Sequence, residues 1–238
     1  MIRGLLLCLV SALLLVCAGC PGGTGSSLPN PTVMFFNASA DSPDIDFYLD
    51  KDLAAAALGF LANSTFTAIE PAERDVSANE AGTTNQYDVI FYDFTRNSHN
   101  LMATIGLVNY GSELQKRIRL ISHTVDRRRP NGTKARLVII HAFNRAPGFQ
   151  TPSIDFQTPG QNPIYAARDI GYGEATPLLI DSGTFTFEAR RFNTEHVFVT
   201  LNNFTFQSEK IYLVFVVGVE DAAGPQAPQI FVLEIPST

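Results

Sequence analysis

Phe36-Asn37-Ala38-Ser39 and then Ser42-Pro43-Asp44-Ile45-Asp46-Phe47 are echoed by Ile140-His141-Ala142-Phe143, Ala146-Pro147 and Ser153-Ile154-Asp155-Phe156. The two stretches lie 104 to 109 residues apart, the size of one ordinary domain of about 100 residues. In each, an apolar run ends on a polar residue and an alanine, crosses a proline turn and resumes with Ile-Asp-Phe. Outward from this repeat the chain reads as strands. Thr32 to Phe36, Tyr87 to Tyr92, Ala135 to Ile140 and Ile211 to Val217 are short, β-branched or aromatic, and bounded by Gly, Pro, Asn and Asp. Thr184-Phe185-Thr186-Phe187-Glu188-Ala189 alternates, as a strand does when one face is buried and the other wet. Leu53-Ala54-Ala55-Ala56-Ala57-Leu58 reads as one or two helical turns in a local crossover. No strand-helix-strand periodicity appears, which favours antiparallel sandwiches over a parallel sheet. A second internal pairing sets Ser112–Leu120 against Gln207–Leu213.

These signals predict an all-β chain of two tandem immunoglobulin-like antiparallel β-sandwich domains, at 32–125 and 135–238, joined by a basic linker at 126–134. Ahead of them stands a different composition. Arg3 gives a short positive region, Leu5 to Val16 an apolar one, and Cys17-Ala18-Gly19-Cys20 a small-residue processing site. Residues 1–19 therefore read as a lipoprotein signal peptide and Cys20 as the lipidated residue; the alternative is an ordinary secretory leader with Cys20 a leftover thiol. The apolar run is 12 residues, against about 20 for a membrane-spanning helix. From Cys20 to residue 31 the chain is rich in Gly, Ser, Thr and Pro and reads as a flexible tether. Cys8, Cys17 and Cys20 are the three cysteines, so the mature fold has no disulfide or thiolate metal site. The expected location is the cell envelope, lipid-anchored. Pro21, rather than an aspartate, favours the outer membrane, on its periplasmic or surface face, if the host has two membranes.

The apolar strand, the Asn/His-Ala pair, the proline turn and Ile-Asp-Phe resemble the bacterial domain of unknown function 4397 family. So do Gly171-Tyr172-Gly173 with Thr176, Ser182 to Phe187, and the closing Ile211 to Gly218. The resemblance runs over most of Val33 to Gly218. It implies tandem β-sandwiches in anchored envelope proteins, with no known activity.

Chemistry-bearing patterns are sparse. Asp41, Asp44, Asp46, Asp50 and Asp52 crowd the first repeat and could offer calcium an oxygen-rich site. They lack the glycine turn and terminal glutamate of a helix-loop-helix calcium loop, and Ile-Asp-Phe recurs at Asp155, so Asp46 is read as binding local backbone amides. His99, His123, His141 and His196 stand singly, without metal-ligand spacing. No nucleophile elbow, phosphate-cradling loop or Ser-x-x-Lys motif occurs. Neither a catalytic residue, a metal site nor a cofactor is therefore assigned.

The net charge is −6, yet eight of the 17 basic residues lie between Lys116 and Arg136. Within them Arg127, Arg128 and Arg129 form a candidate anion-contact patch, for lipid headgroups or envelope polysaccharide, or else pair with acids on the two domains. The place to look for a ligand pocket is between the domains beside these arginines. Tyr110, Tyr165 and Tyr172 are the loop-flanking rings that a sugar could stack on, with core packing as the alternative. Nucleic acid is excluded as a partner for an exported acidic chain. The expected partners are the membrane, through the N-terminal lipid, and an envelope polysaccharide, lipid headgroup or protein. The expected role is non-enzymatic: binding, adhesion or structural support. The alternatives are an envelope hydrolase built on sandwich loops and a subunit that assembles through strand edges.

Overall fold

One strand order is used twice in the computed structural model, which describes residues 28–111, 114–146 and 149–238. The leader, Cys20 and the tether up to residue 27 lie outside the described residues. The first sandwich comprises β1 (Thr32–Asn37), β2 (Ile45–Leu49), β3 (Asp52–Leu58), β4 (Thr67–Ala68), β5 (Glu73–Glu80), β6 (Gln86–Asp93), β7 (His99–Ile105) and β8 (Arg119–Thr124). They form two sheets, ordered β4-β1-β7-β8 and β3-β2-β5-β6. The second comprises β9 (Lys134–His141), β10 (Ile154–Gln157), β11 (Ala166–Ile170), β12 (Ala175–Asp181), β13 (Gly183–Arg191), β14 (Val197–Phe206), β15 (Ile211–Val217) and β16 (Gln229–Ile235). Its sheets, β12-β9-β15-β16 and β11-β10-β13-β14, repeat the first pair with eight added to every strand number. Pairing is antiparallel except that β1 with β7, and β9 with β15, run parallel.

The duplication shows in single residues. Gly106 after β7 and Gly218 after β15 both hold positive φ, 96° and 100°. A Cβ would lie 2.5 Å from the Arg117 carbonyl oxygen at the first and 2.4 Å from that of Ala227 at the second, so glycine is required at both.

Three apolar layers hold the four sheets. Val33, Phe35, Ile45, Phe47, Val76 and Met102 fill the first sandwich, and Leu137, Ile139, Phe156, Phe187, Val214 and Val216 the second. The third layer lies between the sandwiches. Met34, Phe36, Leu101 and Ile105 from β1 and β7 pack on Val138, Ile140, Leu213, Phe215 and Val217 from β9 and β15. Phe36 stacks on Phe215 with ring centroids 3.9 Å apart and planes 6° from parallel. Successive residues of β1 and β15 therefore point into different layers, and both faces are apolar. That is why these strands read as unbroken hydrophobic runs while the outer strand β13 alternates.

Beyond the linker at 126–134, the inner sheets fuse the copies through a shared core. Each fully buried Leu, Ile or Phe there contributes about 1.5–3 kcal/mol. Two expectations are corrected. Leu53–Leu58 is not helical but lies in edge strand β3, because cross-strand pairing with β2 outweighs the high intrinsic helix propensity of alanine. The proposed match of Ser112–Leu120 with Gln207–Leu213 also fails: β15 corresponds to β7, whereas Arg119–Thr124 is β8, equivalent to β16. Apolar composition alone does not distinguish neighbouring strands of one sheet.

Candidate functional site

Asp46 and Asp155 sit at the same place in the two copies and do the same work. The Asp46 carboxylate accepts the backbone N–H of Ala57 at 2.7 Å and of Gly82 at 2.9 Å. Asp155 accepts those of Asp169 at 2.9 Å and Asn193 at 3.4 Å. All four donors have positive φ: Ala57 49°, Gly82 70°, Asp169 53° and Asn193 56°. Each aspartate thus holds the left-handed bends of the edge strand and of the following turn, a framework role. Asp41 and Asp50 also accept backbone amides, of Val108 and Asn109 and of Asp75. Among the described residues no three His, Cys, Asp or Glu side chains are grouped to hold a metal ion.

The flanks of the two sandwiches differ. In the first, β4 pairs with β1 only through Ala68 and Thr67, opposite Thr32 and Val33. A cleft of about 380 Å³ opens there between the sheets, walled by Val33, Phe35, Leu49, Leu53 and Ile69. Arg74 reaches into it, donating from Nη1 to Asp50 at 2.6 Å, while its buried Nε has no acceptor. In the second sandwich β12 pairs with β9 at seven positions, Ala175 to Asp181. Tyr165 ties the flank shut, its hydroxyl donating to Asp181 at 2.7 Å and its ring lying edge-on to Phe185 at 5.3 Å. Counting along the strands from Ala78 and Ala189, which face Phe47 and Phe156, Phe185 occupies the position of Arg74.

The second sandwich instead carries a polar pocket of about 210 Å³ on its outer face, lined by Asp155, Gln157, Arg168, Arg190, Asn193 and Glu195. Arg190, 8% exposed, is held by Glu188 through Nε and by Glu195 through Nη1 at 2.8 Å. Gln157 is 5% exposed and makes no side-chain hydrogen bond among the described residues.

The three arginines of the connector are engaged separately. Arg127 is buried, donates from Nε to the Pro236 carbonyl at 2.8 Å and lies over the Phe66 ring at 4.3 Å. Arg128 chelates Asp126 with two bonds of 2.9 Å, and Arg129 pairs with Glu209. A recess of about 370 Å³ lies beside Arg128, Arg129, Lys134 and Arg136. Lys134 bonds Asp181 at 2.8 Å and Arg136 reaches Asp126 at 3.1 Å, so all four cations have carboxylate partners. The hydrogen bonds from Arg128 hold the Asp126 carboxyl at about 2, well below its ordinary range. A smaller recess, about 250 Å³, lies between the copies and includes His123, Asp126, Arg136 and Val138.

The histidines are structural pieces. His141 occupies the place of Asn37 and is fully buried. Its Nε2 lies 2.9 Å from the Pro152 carbonyl, and since a carbonyl only accepts, Nε2 carries the proton and Nδ1 is left without a partner. Burial pushes its pKa down to about 4. His123, also lowered by burial, bridges the copies from β8 to the Gly173 carbonyl at 3.0 Å. His99 bonds Thr32, and His196 is exposed. Of the tyrosines named as sugar platforms, Tyr165 closes the flank. Tyr172 is packed at the interface, its hydroxyl on Asn144 at 2.7 Å and Arg119 over its ring. Arg74, Gln157 and Arg190 were not singled out from the sequence. Aligning the copies residue by residue would have marked them, because Phe185, Tyr48 and Asn79 stand at the corresponding positions.

A duplicated β-sandwich with recesses on its flank and outer face is the class this geometry defines. Residues 31–151 match the family described as "Domain of unknown function (DUF4397)", and the chain belongs to that family. No curated protein matches the sequence. Among solved structures, a candidate adhesin from Bacteroides ovatus is 13% identical, with 87% of this chain and 93% of that chain covered and a TM-score of 0.24. A candidate cell adhesion protein from the same species is 9% identical, with 89% and 99% covered and a TM-score of 0.25. Among the described residues no helix is long and apolar enough to cross a membrane.

Proposed function

We propose that this protein is a non-enzymatic binding or adhesion module of the cell envelope, anchored by lipid on Cys20, held off the membrane by the tether and displaying the fused double sandwich. The observation that carries the reading is the divergence of the recesses on a repeated framework. Asp46 and Asp155, and Gly106 and Gly218, keep the same work in both copies. Meanwhile one flank is open and apolar and one outer face has a polar pocket. Selection for stability alone would keep both copies closed, since unfilled apolar clefts cost packing energy. Two different recesses on one rigid body suit two contacts with a ligand or partner, and stacked inner sheets keep their spacing fixed.

The anchor is tested by detergent-phase partition: the native chain enters the detergent phase and Cys20→Ser stays in the aqueous phase. Binding is tested with vesicles carrying the lipidated chain. They cosediment with isolated envelope polysaccharide or with envelope fragments, whereas bare vesicles do not. Equal sedimentation of both kinds, or release of soluble fragments from the polysaccharide, would contradict the reading in favour of a spacer or a hydrolase.

A further inference from the structure

Comparison of the copies separates residues the fold needs from residues it does not. On the outer sheet, Asp155 recurs as Asp46, but Gln157, Glu188 and Arg190 stand where the first copy has Tyr48, Ser77 and Asn79. Arg168, beside the left-handed Asp169, stands where Ala56 precedes the left-handed Ala57. These four substitutions converge on one place, three lining the pocket and Glu188 fixing Arg190 at its wall.

We propose that the outer-face pocket of the second sandwich binds a neutral, hydroxyl-rich ligand, one sugar ring presented by a longer glycan or polysaccharide. The proposal rests on the binding reading above and names its ligand class. Gln157 carries it first. The residue is 5% exposed and lines the pocket, and its amide has no hydrogen-bond partner among the described residues. A ligand offering both donors and acceptors can pair the carbonyl and the NH2 of that amide at once. The balance of charge carries it next. Arg168 and Arg190 face Asp155 and Glu195, two cations against two carboxylates, so the lining selects neither an anion nor a cation. Arg190 is immobilised by Glu188 and Glu195 and presents its donors without rotamer loss, while the carboxylates accept; a hydroxyl, which both donates and accepts, matches such a lining. Volume sets the size. About 210 Å³ is below the roughly 300–1,000 Å³ of pockets that enclose drug-sized ligands, which fits a single ring. One ring gives weak binding, and many anchored copies on one surface raise it by avidity.

The test is saturation-transfer difference NMR on the full chain in detergent micelles. The probes are methyl glycosides of neutral hexoses and N-acetylhexosamines, with acetate and glycine as anionic and zwitterionic controls. Transfer to at least one glycoside is expected, and none to acetate or glycine. Gln157→Leu is expected to lower that glycoside's affinity about tenfold or more, the loss of a hydrogen-bonding partner, without lowering the thermal midpoint. Should Gln157→Leu fail to fold, Arg168→Ala at a 56% exposed side chain carries the same readout. Absence of transfer to every neutral glycoside, transfer to glycine or acetate alone, or undiminished transfer in the folded variants would overturn the proposal. If cosedimentation with envelope material persists in those cases, the binding reading stands and only this pocket falls. If it too is absent, both fall.

Discussion

The first sandwich is open on the flank between β3 and β4, while the second is closed at the matching edge between β11 and β12. The difference comes from few residues. A two-residue β4 leaves most of the inner edge to a loop, with Phe35 bonded to Ser64 and Asn37 to Ala62 and Leu61. A seven-residue β12, latched by Tyr165 to Asp181, runs along the matching inner edge instead. The lesson is that framework and surface evolve on different residues: aspartates, glycines and inner-strand apolar residues hold the topology, and edge-strand length with outer-face side chains sets what is displayed.

The shared interface layer should be the most sensitive place to break this comparison. Phe215→Ala removes the ring stacked on Phe36 and is expected to cost about 3–5 kcal/mol. Denaturant unfolding checks it, and because the layer serves both copies, strands of both should lose protection.

A second contrast concerns pH. A histidine held neutral by burial, with a folded pKa of about 4 against the ordinary value of 6.5, binds fewer protons when folded than when unfolded between those values. Its contribution is therefore fully present above about 6.5 and lost as pH falls toward 4, by an amount of a few kcal/mol. Asp126 acts in a lower window: stability from its pairing is present above the ordinary carboxylate range and lost as pH falls through about 2. In the first copy Asn37 bonds Thr104 at 2.9 Å, and His141 and Val216 occupy those positions. The double variant His141→Asn/Val216→Thr should fold and flatten the thermal midpoint between pH 6.5 and 4, leaving the acid limb of Asp126 intact. An unchanged slope would show that His141 does not cause it.

The two framework aspartates sharpen the comparison at smaller scale. Asp46→Asn and Asp155→Asn weaken bonds to two amides each and should cost about 1.5–3 kcal/mol, with the larger loss at Asp46, whose two bonds are shorter. Smallest of all is the connector. Arg128→Ser with Arg129→Ser breaks ion pairs of side chains 85% and 63% exposed, and each exposed pair contributes about 0–1 kcal/mol. The midpoint should barely move.

Strand character, the repeat and the framework role of Asp46 were legible in the sequence, since Ile-Asp-Phe and the turn residues are local signals. The fusion of the copies was visible there too, in a form easily passed over. Ile211 to Val217 shows no alternation because both of its faces are buried, one in each layer. The β3 sequence looks helical because alanine is the strongest helix former and its methyl carries no signal of the strand it pairs with. The pockets were illegible for another reason: Gln157 and Arg190 are ordinary residues whose meaning appears only when β10 and β13 are set side by side with β2 and β5.

Native-state amide hydrogen exchange tests the central claim, that the duplicated sandwiches form one unit through their inner sheets. The account predicts that β1, β7, β9 and β15 are the slowest to exchange and share a single opening free energy that Phe215→Ala lowers in all four strands. Separate opening free energies for β1 with β7 and for β9 with β15, with only the latter pair responding to Phe215→Ala, would contradict it.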